Sequence, residues 1–301
     1  MGSMVVAFLS TGRCGTQWLA SGFATHHRDL VVEHEPIGVS YKPRRYFRGY
    51  DDPQAALAQR AVRHHVARIA ATSQPYVETG WPLYAALPLF AARFPNRLRV
   101  VHVTRHPVRC ALSHMSHQSY AGSPMRSPIS RSGTLGPTDR GVFHPEYAQR
   151  WSKLSAYEKC LYFWTELGLY GLEFPRRFPS IPFLRLKSED LLAGDRAALE
   201  ELLGFLGLPW TDGWLEHVGK SVDKWHFHSG EQVEPARVFR HQATLEVAQE
   251  FGYDFDRLDM DALRARYAGE FPVARRASAR RLVFRRRLAG SRSPQSGYMG
   301  W

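Results

Sequence analysis

The chain of 301 residues is 44% hydrophobic and 23% charged, which is enough apolar material to bury the core of one α/β domain. Its apolar runs are too short to span a bilayer and no secretory leader precedes them, so we expect a cytoplasmic protein. Three cysteines without a CxxC pair argue against a disulfide scaffold or a structural zinc site. The net charge is +12, but residues 272–301 hold eight arginines and no acid. Most of the excess charge therefore belongs to this tail.

Strands and helices are predicted to alternate along the chain. The predicted strands are residues 5–10, 30–35, 75–78, 98–104 and 181–186, and the predicted helices are 16–24, 53–71, 83–94, 108–117, 153–172 and 196–206. This alternation predicts an α/β fold, a three-layer α/β/α sandwich with a central parallel sheet. Residues 118–145 lack periodicity and predict a long loop. We expect one domain over residues 4–271, followed by the arginine-rich tail 272–301.

The turn after the first strand has the composition of an anion-binding loop. It runs Ser10-Thr11-Gly12-Arg13-Cys14-Gly15-Thr16 between the strand and a helix. Backbone N–H groups and the positive end of the helix dipole face an anion at such a turn. Gly12 and Gly15 permit close approach of the backbone, Thr16 adds a hydroxyl donor and Arg13 a positive charge. A tight turn that merely joins strand to helix is the alternative.

The spacing of this loop speaks against a nucleotide kinase or an ATPase. An ATP-type loop has four residues between its glycines and then Lys-Ser or Lys-Thr. Here only Arg13 and Cys14 separate the glycines, and no lysine follows. The strand 98–104 also ends in Thr104-Arg105, where a metal-binding Asp would be wanted. A magnesium-dependent phosphoryl transferase is disfavoured.

A second anion site is predicted after the fourth strand. Arg105 ends that strand, and Ser113 follows eight residues later on the next helix. A guanidinium can bind a phosphate through two hydrogen bonds, and a hydroxyl can add a third. Alone this pair is a weak signal.

Together these motifs resemble the sulfotransferase family that uses 3′-phosphoadenosine-5′-phosphosulfate (PAPS). The resemblance rests on Arg13-Cys14-Gly15-Thr16, on Arg105-His106-Pro107 with Ser113, and on several later segments of the chain. Those segments are Phe94-Pro95, Leu184-Arg185-Leu186-Lys187-Ser188-Glu189-Asp190-Leu191, Phe205-Leu206-Gly207-Leu208 and Phe251-Gly252-Tyr253. The ordered series covers residues 5–254 and implies the P-loop-like sulfotransferase fold. This chain departs from the family pattern at two positions. It has Cys14 where the family commonly has Ser, and His106 where the family usually has Asp.

The resemblance implies which residues hold the donor. Arg13 would stabilise charge at the transferring group, and Arg105 with Ser113 would hold the 3′-phosphate. Lys220 and Lys224 loosely match a late basic segment of the family that closes over the 3′-phosphate. The alternative is that both are solvated surface residues. The 5′ end of the donor would be held by Gly12, Cys14, Gly15, Thr16 and Gln17.

Glu35 is the first choice for the catalytic base, because carbohydrate sulfotransferases resemble this chain in carrying Glu-Pro after the same strand. Glu35 and His34 end the second strand, near the first loop if the sheet is doubly wound. His34 is the second choice, since strand alternation predicts that it faces the opposite side of the sheet. A solvated strand end without a catalytic role is the alternative.

The sequence therefore predicts an enzyme that moves a sulfuryl group from PAPS to a hydroxyl of a glycan, a glycolipid or a specialised metabolite, releasing adenosine 3′,5′-bisphosphate (PAP). We expect residues 118–145 to lie on the acceptor side. No metal is expected, because His114-x-x-His117 and His226-x-His228 lack further partners at ligand spacing. No nucleic acid is expected either. The rival hypothesis is a protein that binds a membrane or an anionic polymer through its arginine-rich tail.

Overall fold

The computed structural model describes residues 3–117, 119–120, 133–219 and 233–268. Lys220, Lys224, part of the predicted loop and the arginine-rich tail lie outside these residues. The described residues contain one sheet of five parallel strands in the order β2-β3-β1-β4-β5. The strands are β1 (Val5–Leu9), β2 (Val31–His34), β3 (Tyr76–Thr79), β4 (Leu98–Thr104) and β5 (Phe183–Lys187). The predicted α/β fold with a central parallel sheet is confirmed.

Helices connect the strands and cover the sheet. The α-helices of the described residues are α1 (Thr16–His26), α2 (Pro43–Tyr46), α3 (Arg60–Ala71), α4 (Leu87–Arg93), α5 (Pro107–Ser116), α6 (Ala156–Arg177), α7 (Ser188–Ala193), α8 (Arg196–Leu206), α9 (Gly213–His217), α10 (Gln242–Glu250) and α11 (Met260–Ala268). Short 3₁₀ helices span Gly38–Tyr41, Ala55–Ala58, Trp81–Ala86, Pro145–Lys153 and Pro235–Arg240. None of the helices in the described ranges has the length and apolar character needed to cross a bilayer.

The two faces of β1 belong to two different cores, as expected for a sheet covered on both sides. Val5, Ala7 and Leu9 pack with buried residues of α3, α4 and α6, whereas Val6 and Phe8 pack with α1, α8, α9 and α10. Since successive side chains of a strand point to opposite faces, one short apolar strand contributes to both layers.

Three predicted helix boundaries differ from the structure for local reasons. The helix predicted over 53–71 is interrupted at Gln59, which is extended, so that α3 begins at Arg60. The helix predicted over 83–94 begins as a 3₁₀ segment, and α4 starts at Leu87 with Pro88 in its first turn, where a backbone N–H has no partner within the helix. The helix predicted over 153–172 begins after Ser155, whose side chain forms a reciprocal capping box with Glu158.

The register of the sheet aligns the ends of the strands that carry the predicted site. His34 lies opposite Thr79 across β2 and β3, and Leu9 lies opposite His102 across β1 and β4. The loops that follow β1, β2, β3 and β4 therefore leave the same edge of the sheet. Ligands of open α/β sheets bind at this carboxyl edge.

Candidate active site

The first loop, Ser10–Gly15, is a left-handed turn between β1 and α1. Gly12, Arg13 and Gly15 have φ values of 80°, 60° and 77°. A Cβ on Gly12 would lie 3.0 Å from Cβ and Cγ of Trp81, so the loop packs closely against the segment after β3. Glycine is favoured here by both the backbone conformation and the close approach.

Buried side chains support the first loop from behind. The Cys14 thiol donates to the Gly12 carbonyl at 3.2 Å, and the Thr11 hydroxyl lies 3.4 Å from Cys14 Sγ and 3.2 Å from Cys110 Sγ. A hydrogen bond with Cys110 and burial raise the pKa of the Cys14 thiol well above its usual value, so the thiol stays protonated. Cys14 therefore turns its side chain inward, and only its backbone is left to contact a ligand.

His114 holds the same loop from α5. Its Nε2 lies 2.9 Å from the Thr11 carbonyl oxygen, and Nε2–H is the donor because a carbonyl only accepts. Burial, followed by the nearby charge of Arg13, lowers the pKa of His114 to about 3. A neutral His114 is thus a structural support of the loop. Within the described residues, no group of three or more His, Cys, Asp or Glu side chains is arranged to hold a metal ion.

The two predicted phosphate segments are in direct contact. Arg105 Nη1 donates to the Arg13 carbonyl at 2.7 Å, and Arg13 Nε donates to Ser113 Oγ at 3.0 Å. Ser113 is buried, whereas both arginines are partly exposed. The arrangement places two guanidinium groups at the ends of adjacent strands, β1 and β4.

The end of β4 is fixed by contacts from three other elements. Trp164 Nε1 on α6 donates to the Arg105 carbonyl at 2.8 Å, and the His106 N–H donates to Glu189 Oε1 at 2.9 Å. His106 also caps α5, since its Nδ1 accepts the N–H of Val108 at 3.3 Å. Burial lowers the pKa of His106 to about 4, so this residue is neutral. These contacts orient Arg105 towards the first loop.

Glu35 and His34 lie side by side, which corrects the predicted alternation. β2 ends at His34, and Glu35 turns with a φ of 50°. The carboxylate Oε1 of Glu35 consequently lies 3.8 Å from Nε2 of His34 instead of on the opposite face. Successive side chains alternate between the two faces of a sheet only within a strand, and β2 ends one residue before Glu35.

The segment after β3 fixes Glu35. The Glu35 N–H donates to the Thr79 carbonyl at 2.9 Å, and a Cβ on Gly80 would lie 2.5 Å from Cγ of Glu35. Burial raises the pKa of the Glu35 carboxyl, although a hydrogen bond from the Trp81 backbone and the charge of Arg13 oppose this effect. A partly buried carboxyl with a raised pKa beside an arginine has the properties of a general base.

His34 is held by the same segment. Its Nδ1 lies 3.0 Å from Oγ1 of Thr79, a residue with no exposed surface. Burial lowers the pKa of His34, opposed by the Thr79 backbone and the charge of Glu78. The side chains of His34 and Glu35 are 27% and 29% exposed, so both can be reached from solvent.

The remaining predicted residues lie on α1 or outside the residues that the structure describes. Thr16 is buried at the start of α1, and Gln17 is exposed on the same turn. Trp18, on the same helix, is a buried core residue whose Nε1 donates to the His217 carbonyl at 3.0 Å. Lys220 and Lys224 lie outside the described residues.

The structure adds Thr79, Gly80, Trp81 and His114 to the site, none of which was assigned a site role from sequence. For Gly80 a signal existed, because a glycine after a short strand marks a position of close backbone approach. Glu78, the residue before Thr79 on β3, is buried in the core. It lies 2.7 Å from His65 Nε2 and accepts hydrogen bonds from Tyr41 at 2.6 Å and Tyr76 at 3.0 Å.

The sequence profile of the Sulfotransferase family matches residues 50–212 of this chain. The chain belongs to the sulfotransferase family. The assignment to the PAPS-dependent sulfotransferases, made from the sequence motifs, is thereby confirmed, as is the enzyme class. The matched region of this sulfotransferase includes Arg105 and Ser113, and the first loop and Glu35 precede it.

Solved sulfotransferase structures resemble this sulfotransferase at low identity. The sulfotransferase domain from the curacin biosynthetic pathway is 14% identical, with 84% of this chain and 99% of that chain covered and a TM-score of 0.47. A sulfotransferase from Alicyclobacillus acidocaldarius is also 14% identical, with coverages of 88% and 99% and a TM-score of 0.45. Mouse sulfotransferase SULT7A1 complexed with PAP is 14% identical, with coverages of 73% and 65% and a TM-score of 0.41. A comparison with curated proteins gives no significant match.

Proposed function

We propose that this sulfotransferase uses PAPS as the donor and sulfates a hydroxyl of a glycan, a glycolipid or a specialised metabolite, releasing PAP. The observation that carries the proposal is the contact of Arg13 with both Arg105 and Ser113 at 2.7 and 3.0 Å. Two cationic groups at adjacent strand ends fit a donor that carries phosphate at its 3′ and 5′ positions. The strands β1 and β4 supply them.

In the proposed reaction the acceptor oxygen attacks the sulfur of PAPS. A bond forms between that oxygen and sulfur, and the bond between sulfur and the bridging oxygen of the 5′-phosphate breaks, leaving its electron pair on PAP. Arg13 would stabilise the negative charge that grows on the leaving phosphate. Arg105 and Ser113 would hold the 3′-phosphate, and the backbone of the first loop would hold the 5′ end.

Glu35 is the proposed base that takes the acceptor proton. Its carboxyl is partly exposed, its pKa is raised by burial, and Arg13 acts on it. A base with a pKa above that of an ordinary glutamate is better matched to a hydroxyl acceptor, because the proton it receives is held more strongly. His34 lies close enough to share this task.

The proposal is tested by the fate of labelled PAPS. The protein is mixed with PAPS labelled in the sulfuryl group and with hydroxylated glycans, glycolipids and specialised metabolites in separate reactions. We expect label in one acceptor class and an equal amount of PAP. Calorimetry with PAP supplies a measurement that needs no acceptor, and a protein without measurable affinity for PAP contradicts the proposal.

A further inference from the structure

Thr79 touches both residues of the His34–Glu35 pair. Its carbonyl accepts the Glu35 N–H at 2.9 Å, and its hydroxyl lies 3.0 Å from His34 Nδ1. The register pairs Thr79 with His34 across β2 and β3, so the rigid sheet sets both contacts. Thr79 has no exposed surface and therefore does not itself reach a substrate.

The contact with Thr79 occupies Nδ1 of His34 and leaves Nε2 as the ring nitrogen that faces Glu35. A neutral imidazole carries one hydrogen, and the partner of one ring nitrogen fixes the state of the other. If Nδ1–H donates to the Thr79 hydroxyl, Nε2 keeps its lone pair. Nε2 is the atom that lies 3.8 Å from Glu35 Oε1, about 1 Å beyond hydrogen-bond distance.

We propose that Thr79 is a positioning residue that holds the His34 hydrogen on Nδ1 and so presents Nε2 as a proton acceptor to Glu35. The inference rests on the proposed function of Glu35 as the base. Glu35 takes the proton of the acceptor hydroxyl, a small rotation of its side chain brings it to His34, and Nε2 accepts that proton. The carboxylate is restored, and His34 releases the proton to solvent through its exposed part.

The charges around the pair favour this direction of transfer. Arg13 acts on Glu35 from the first loop and favours the carboxylate, whereas the charge of Glu78, on β3, favours a protonated His34. Glu33, the neighbour on β2, is engaged elsewhere by Arg68 at 2.6 Å. These two charges favour a proton on His34, whereas burial, the largest effect on both groups, raises the pKa of Glu35 and lowers the pKa of His34 and so acts in the opposite direction.

The test compares Thr79→Val, which keeps the shape of the side chain but removes the hydroxyl, with Thr79→Ser, which keeps the hydroxyl. Nitrogen NMR of His34 reports its tautomer without any substrate. We expect a single tautomer with hydrogen on Nδ1 in the natural protein and in Thr79→Ser, and a mixture in Thr79→Val. In turnover assays with PAPS, Thr79→Val should lower kcat about tenfold and leave the KM for PAPS within twofold, whereas Thr79→Ser should retain most of the kcat.

The outcomes separate this inference from the proposed function. An unchanged His34 tautomer in Thr79→Val overturns the positioning role even if sulfation occurs. An altered tautomer with an unchanged kcat overturns the relay, because His34 would then be a bystander. A protein that does not bind PAP contradicts the proposed function, and the NMR result still stands as a measurement of Thr79. Thermal unfolding of both variants detects a loss of folding.

Discussion

The first loop and the His34–Glu35 pair both depend on left-handed backbone, but different contacts hold them. In the first loop, the Gly12 N–H donates to Ser10 Oγ at 3.1 Å and the Cys14 thiol donates to the Gly12 carbonyl, so neighbours in the same turn supply part of the support. Glu35 is instead held by Thr79 and Gly80, more than forty residues later in the chain. The loop therefore combines contacts within its own turn with contacts from Arg105 and His114, whereas the pair depends on the pairing of β2 with β3.

This contrast predicts that the two regions fail in different ways. Damage to the first loop or to Arg105 should weaken donor binding. Damage to the pair should slow turnover and leave the donor bound, because the proposed role of Glu35 is to take the proton of the acceptor. The following substitutions test this separation, from the largest expected effect to the smallest.

Glu35→Gln should give the largest effect. It removes the proposed base but keeps the size of the side chain, so kcat should fall roughly 100-fold or more while PAP binds as before. The base works only when ionised, and burial raises its pKa. In the natural protein kcat should therefore rise with pH, and the midpoint of this rise should lie above the pKa of an ordinary glutamate. In Glu35→Gln this rise of kcat with pH should be absent.

Glu33→Gln is the matched control for Glu35→Gln, since Glu33 lies on the same strand but pairs with Arg68 and Tyr76. Rapid-mixing assays and PAP calorimetry on both variants separate turnover from binding. A fully active Glu35→Gln enzyme would show that Glu35 is not the base, and His34→Gln would then be the variant to measure.

Arg105→Ala should give the next largest effect. It should weaken the binding of PAP and should not slow turnover. It removes charge-assisted hydrogen bonds, each worth about 1.5–3 kcal/mol, so the Kd for PAP should rise roughly 10- to 100-fold. It also removes the donor that holds the Arg13 carbonyl. Arg93→Ala, at the exposed end of α4, removes the same charge far from the strand ends and serves as the control. Equal affinities of the two variants would contradict the proposed 3′-phosphate site.

The sequence was sufficient to predict those parts of the molecule whose structure is local. All five strands were predicted within two residues of their ends, and α8 was predicted over its full length because Asp195 caps its start and Gly207 ends it. The roles of Arg13, Arg105, Ser113 and Glu35 were predicted from a resemblance and stay predictions.

The support of the site could not be predicted because it depends on register and packing. Thr79 faces His34 only because β2 pairs with β3 in one register, and no local pattern encodes that register. His114 was considered only as half of a metal pair, although it supports Thr11 across 103 residues of sequence. The predicted strand alternation was wrong at Glu35, since it assumed that the strand continued.

Gly12→Ala tests the local support of the first loop. Alanine at a φ of 80° costs about 1–2 kcal/mol, and its Cβ would press on Trp81 at 3.0 Å. We expect a loss of PAP affinity of roughly 5- to 30-fold and a lower Tm. Gly204→Ala is the control, because this helical glycine has no atom within 4 Å of its added Cβ and should become slightly more stable. Unchanged PAP binding in Gly12→Ala would mean that the loop backbone is not in contact with the donor.

Cys14→Ser should have the smallest effect, and it tests how the first loop meets the donor. The Cys14 side chain is buried and bonded to Gly12, so the donor can meet only its backbone. Serine can make the same inward hydrogen bond, and PAP affinity should therefore stay within about threefold of the natural protein. Cys14→Ala, which cannot make that bond, should lower the free energy of unfolding by about 1 kcal/mol. Calorimetry and thermal unfolding measure the two effects separately. A tenfold gain in affinity in Cys14→Ser would show that the side chain at this position turns outward to the donor.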